Sequence, residues 1–131
     1  MYQSYQEIFG QGETLSQTFH YIQEQKKAIQ DFFAPDDYDE IVLVACGSSY
    51  WGALSAQVTL QRETGRRCTA VKSGEIVLNP DFYRTAYRRP LLIAPSRSGT
   101  TEETLRALHF LKEVYGCRIL AVVEYPDSPL E

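Results

Sequence analysis

Hydrophobic residues near the start of the chain recur at helical intervals. Leu15, Phe19, Ile22, Ile29 and Phe33 follow one another at spacings of three, four and seven, which places them on one helical face. Thr14, with Gln17 three residues later, forms a capping-box pattern ahead of them. The pattern predicts one amphipathic helix over 12–33, stopped by the proline and acidic turn residues of APDDYDE from Ala34.

Beyond that point the rhythm changes to short, continuous apolar runs. IVLVAC (41–46), CTAV (68–71), LLIA (91–94) and RILAVVE (118–124) are rich in β-branched residues and predict strands covered on both faces. Between them lie helix-like stretches: one ends at Gly65, GEIVLNP makes a short helical turn, and another runs from Thr101 to Tyr115. Gly116 suits the left-handed residue just beyond that last helix. Strand, helix and strand in repetition, with buried strands, predict an α/β three-layer sandwich around a parallel sheet. At the end of the chain, PDSPLE offers Ser128 as an N-cap and Pro129 as a first helical residue, so a helix is expected to begin there.

Composition narrows this picture. A length of 131 residues with 44% hydrophobic and 23% charged residues suits one globular core. The net charge of -4 excludes a non-specific nucleic-acid binder, which needs clustered cations to neutralise backbone phosphates. No apolar run reaches the ~20 residues of a membrane span, and MYQSYQEIFG lacks the basic and apolar parts of a signal peptide. Cys46, Cys68 and Cys117 have neither CxxC spacing nor a nearby His. They read as buried free thiols of a cytoplasmic protein, with no metal site.

Candidate chemistry concentrates at two strand-to-helix joins. CGSSYW (46–51) follows the first strand and PSRSGTT (95–101) the third. Each combines a glycine with hydroxyl side chains where a helix begins. Helix N-termini present unpaired N–H groups and a positive dipole end, and hydroxyls add neutral donors, so two of them converging form a phosphate site. A serine at a helix start ordinarily caps its own backbone. Ser96, Ser98, Thr100, Thr101 and Thr104 are more hydroxyls than one cap can use. Arg97 either adds charge toward an anion or points to solvent. Glu102, Glu103 and Arg106 read as helix support, and His109 with Glu113 as a surface pair. Trp51, beside the first loop, either borders the pocket or packs.

These loops resemble a known family. ACGSSYWGA (45–53) is similar to the first phosphosugar loop of the sugar isomerase (SIS) domain, and PSRSGTTEET (95–104) to its second. The first is closer to the isomerase domain of glucosamine-6-phosphate synthase and its deglycase and deaminase relatives. SGEIVLNP (73–80) resembles a segment of the tagatose-6-phosphate ketose/aldose isomerase group. The resemblance implies a flavodoxin-like SIS fold, usually of five parallel strands. It also implies a sugar phosphate held by Ser48 and Ser49 of the first loop and by Ser96, Ser98 and Thr101 of the second. Gly47, Arg97 and Gly99 complete those loops. Arg97 stands where the synthase relatives often have Gln, and Thr100 where they have Glu.

On this reading, 1–35 is an N-terminal helical segment and 36–131 a partial SIS domain, ending before the last strand. The expected function is the phosphosugar-binding N-terminal half of an isomerase, deaminase or deglycase acting on amino- or keto-hexose phosphates. No acid/base pair for proton transfer is recognisable in the chain, and no cofactor is expected. A non-catalytic sugar-phosphate sensor is the alternative; Lys26 and Lys27 are too few cations for DNA recognition by the first helix. Ser49 or Ser96 as a nucleophile lacks a His base. If RILAVVE is a sheet edge, its exposed ladder invites pairing, so a homo-oligomer is expected.

Overall fold

The computed structural model describes residues 2–130. The chain divides into two compact units at Asp36/Asp37.

The first unit holds two helices, α1 (Gln3–Glu24) and α2 (Lys26–Phe33). The single helix expected over 12–33 is thus corrected at both ends of its first segment. It begins nine residues earlier and breaks at Gln25. Apolar spacing already extends backward through Tyr5 and Phe9, whose rings sit 4.4 Å apart, so nothing forces a start at Thr14. Thr14 is no cap: its hydroxyl donates to the Gly10 carbonyl within the helix, at 3.2 Å. Neither helix buries a side chain.

The second unit carries the sheet. Its elements are β1 (Glu40–Ala45), α3 (Gly47–Thr64), β2 (Arg67–Lys72), α4 (Ser73–Leu78), α5 (Pro80–Tyr83), β3 (Pro90–Ser96), α6 (Glu102–Tyr115) and β4 (Ile119–Val123). All four strands pair in parallel, in the order β2-β1-β3-β4. The register sets Val44 beside Val71, Val42 beside Leu92, and Ala94 beside Ala121.

Side chains alternate across the sheet, so each strand feeds two cores. Val42, Val44, Val71, Leu92 and Ala94 share one core with Ile76 of α4 and Ala107, Leu108 and Leu111 of α6. Ile41, Leu43 and Ala45 point the other way and are equally buried, as is Ala53 of α3, which packs against β1 and β2. The expected three layers are present. β1 is buried throughout, which is why its run is apolar without alternation. α3 and α6 end at Gly65 and Gly116, both left-handed.

Glu40 is the charged residue buried at the foot of β1, 6% exposed. One carboxylate oxygen accepts from the Arg88 amide at 2.5 Å and the other lies 4.0 Å from the Arg67 guanidinium, tying three strand ends together. Cys68 is buried, whereas Cys46 and Cys117 are half-buried; all three are free thiols. Burial pushes the Cys68 and Cys117 thiols above the ordinary range. The helix expected from Ser128 is replaced, among the described residues, by turns at 126–127 and 129–130, with Asp127 left-handed (φ 59°). Ser128 does not cap a helix. It packs onto the second loop, for a reason visible at the site.

Candidate functional site

The order β2-β1-β3-β4 makes β1 and β3 neighbours although the chain visits β2 between them. A parallel sheet opens a crevice at such a switch point, beyond the carboxyl ends of its strands. Both hydroxyl loops leave from those two ends, CGSS from β1 and PSRSGTT from β3.

They meet in one cleft of about 560 Å³. Gly47, Ser48 and Ser49 line one wall; Ser96, Arg97, Ser98 and Thr101 line the other. Seven of the eight residues expected at the site are therefore on the cleft wall. Gly99 is the exception. It lies beneath the loop against Ser128, where a Cβ would come within 2.5 Å of the Ser128 Cβ, and its φ of +63° is left-handed. Bulk and backbone conformation both demand glycine at this position.

The two walls differ electrostatically. α3 starts from Cys46, which makes no side-chain cap, and its first turn carries no acidic residue. Gly47 is left-handed (φ 54°), turning the chain sharply from strand into helix. The first-turn amides and dipole of α3 thus face the cleft without an intrinsic counter-charge. α6 begins after Thr101 with Glu102 and Glu103 in its first turn, and Glu102 pairs with Arg106 at 2.5 Å. These carboxylates support the helix, as their spacing predicts.

The second-loop hydroxyls are engaged locally, yet keep a function to spare. Ser96 Oγ accepts from the Gly99 amide at 3.2 Å. Ser98 Oγ accepts from the Thr100 amide at 3.2 Å and from the Thr100 hydroxyl at 3.0 Å. Accepting occupies lone pairs, so each serine retains its own O–H proton as a donor. The local bonds fix the oxygens in place and leave each O–H proton unused by them.

Four wall residues were not singled out as ligands by their pattern: Cys46, Pro95, Thr104 and Tyr125. Thr104 belongs to the hydroxyl run and is 1% exposed, donating to Ser73 Oγ at 3.3 Å and so joining α6 to α4. Tyr125 follows β4, and only the pairing of β4 with β3 brings it to the cleft. Trp51 stands away from the wall, 64% exposed, with its ring edge-on to Tyr50. Lys72, at the end of β2, sits over the Tyr50 ring at 5.2 Å.

A second concavity of about 260 Å³ opens at the opposite ends of the strands, with Arg89 and Arg118 on its wall. Both are paired, Arg89 with Asp39 at 2.9 Å and Arg118 with Asp37 at 2.6 Å. The Arg118 guanidinium holds the Asp37 carboxyl below its usual range. Two arginines so satisfied attract an anion less than a helix end with no counter-charge.

No family model matches the chain. Three known proteins illustrate what it is similar to. The glutamine–fructose-6-phosphate aminotransferase [isomerizing] of Chlamydia caviae is 31% identical over an alignment covering 98% of this chain and 21% of that protein. The crystal structure of tagatose-6-phosphate ketose/aldose isomerase from Escherichia coli superposes with a TM-score of 0.74 at 25% identity, covering 85% of this chain and 31% of that one. The C-terminal domain of glucosamine-fructose-6-phosphate aminotransferase from Francisella tularensis superposes at 0.58 and 24% identity, covering 72% and 26%. The chain spans about a fifth or less of the length of the curated relatives it matches.

Proposed function

Since this chain has the SIS fold and its homologues are the isomerase domains of glucosamine–fructose-6-phosphate aminotransferases, we propose that it is the phosphosugar-binding part of a sugar-phosphate isomerase, deaminase or deglycase. Its ligands are amino- or keto-hexose phosphates, entering with the phosphate first.

One observation carries this reading: the loops after β1 and β3 line a single cleft with four serines, Thr101 and the start of α3. A phosphate monoester carries close to two negative charges near neutral pH. The α3 amides and dipole oppose one side of that charge, while Ser96, Ser98 and Thr101 donate from the other. Neutral donors hold a dianion without drawing in every anion that passes, and they leave the remaining volume to the sugar. That volume is of the usual size for a small-molecule site. The kinship with isomerizing aminotransferases supports a six-carbon sugar phosphate. The proton transfer itself needs an acid and a base near C1 and C2; no wall residue among those described is a carboxylate, histidine or lysine. On this reading the described wall residues bind and orient the sugar phosphate.

Calorimetric titration tests this. Fructose-6-phosphate and glucosamine-6-phosphate should bind to one saturable site, both more tightly than inorganic phosphate. Equal affinity for phosphate and for both sugars would remove the sugar from the proposal. No heat with any of the three would remove the site.

A further inference from the structure

Arg97 is the one charged side chain on the cleft wall among the described residues. Its guanidinium is nevertheless engaged by a carboxylate: Nε lies 2.7 Å from Glu124 Oε2. The backbone repeats the link, since the Glu124 amide donates to the Arg97 carbonyl at 3.2 Å. Glu124 directly follows β4, and the residue after it, Tyr125, is part of the cleft wall. Ser128 then packs on Gly99. The segment 124–128 thus runs alongside the second loop, and Glu124 ties it to Arg97, the one charged side chain on the wall among the described residues.

We propose that Glu124 sets the anion affinity of this cleft, by holding Arg97 in an ion pair at the rim so that the phosphate is met by neutral donors. The proposal rests on the phosphosugar reading of the site and adds to it a residue that touches Arg97 rather than the ligand. Its physical basis is competition. A guanidinium forms strong charge-assisted bonds with either a carboxylate or a phosphate. A carboxylate 2.7 Å away must be displaced, or shared, before Arg97 can turn to an anion in the cleft. It also adds a negative charge next to an incoming dianion. Both effects weaken binding. Both side chains are largely solvent-exposed, 73% and 50%, so the pair itself adds little to folding stability. The pair therefore acts on the ligand more than on the fold.

The test uses Glu124→Gln, which keeps the side-chain shape and the backbone bond to Arg97 and removes the charge. In a phosphate-free buffer at low salt, Glu124→Gln should bind fructose-6-phosphate about tenfold more tightly than the parent chain. The gain should shrink at roughly 0.5 M salt, where exposed charges are screened. The double variant Arg97→Gln/Glu124→Gln should lose it altogether. A Glu124→Gln affinity equal to or weaker than the parent's, with parent binding intact, overturns this inference and leaves the phosphosugar site standing. A parent chain that binds no sugar phosphate removes both.

Discussion

Alanine at both Ser96 and Ser98 is expected to weaken fructose-6-phosphate binding by about a hundredfold or more. Hydrogen bonds to a charged partner contribute about 1.5–3 kcal/mol each, and two lost together exceed the 2.7 kcal/mol that a hundredfold represents. Each serine also accepts a bond from its own loop, from Gly99 and Thr100 respectively, so the double variant could loosen the loop as well as strip it. The two causes separate on measurement. Loss of donors leaves the far-ultraviolet circular dichroism and the urea midpoint close to those of the parent chain. Ser98 is exposed, so its single substitution should act mainly on binding and on the local turn at Thr100, whereas Ser96 is buried and adds a small stability cost. Retained affinity in a folded double variant would take the second loop out of the site.

The largest effect on folding is expected at Leu92. It is fully buried in β3, between β1 and β4, in the same core as Val42, Leu108 and Leu111. Leu92→Ala removes packing atoms and leaves a cavity in a layer that cannot readily close, at a cost of about 2–5 kcal/mol. That is a large part of the roughly 5–15 kcal/mol available to a typical domain. Val122→Ala, on β4 but 53% exposed, should change stability by less than about 0.5 kcal/mol. Urea unfolding of the two variants distinguishes them. Similar midpoints would mean that β3 is not the centre of the core.

The same contrast between local and distant information explains what the sequence revealed. The four strands are legible because each is a short run buried on both faces, and Ile41 to Ala45 leaves no polar position that could face solvent. The two loops are legible because their chemistry is local: glycine and hydroxyls at a strand end, where a helix begins. The early start of α1 carries no such marker. Tyr2 at its N-cap position makes no side-chain cap, and the apolar spacing has no obvious first member.

Roles that depend on distant partners stay hidden from a linear reading. Gly99 looks like one more loop glycine until β4 and its continuation bring Ser128 against it. Ser128 looks like a helix cap because its neighbour is proline, yet among the described residues its buried hydroxyl has no hydrogen-bond partner. Arg97 has two open orientations in sequence; the pairing of β3 with β4 brings Glu124 to it, a partner that the linear pattern does not show. Tyr125 enters the cleft by the same route.

On the proposed reading, two turns, one after β1 and one after β3, grip a single phosphate. Backbone amide shifts in a ¹⁵N-labelled sample titrated with fructose-6-phosphate check this. Gly47–Tyr50 and Ser96–Thr101 should shift together, with one common dissociation constant. Shifts confined to one turn, or centred instead on Asp37, Arg89 and Arg118 at the opposite ends of the strands, would contradict it.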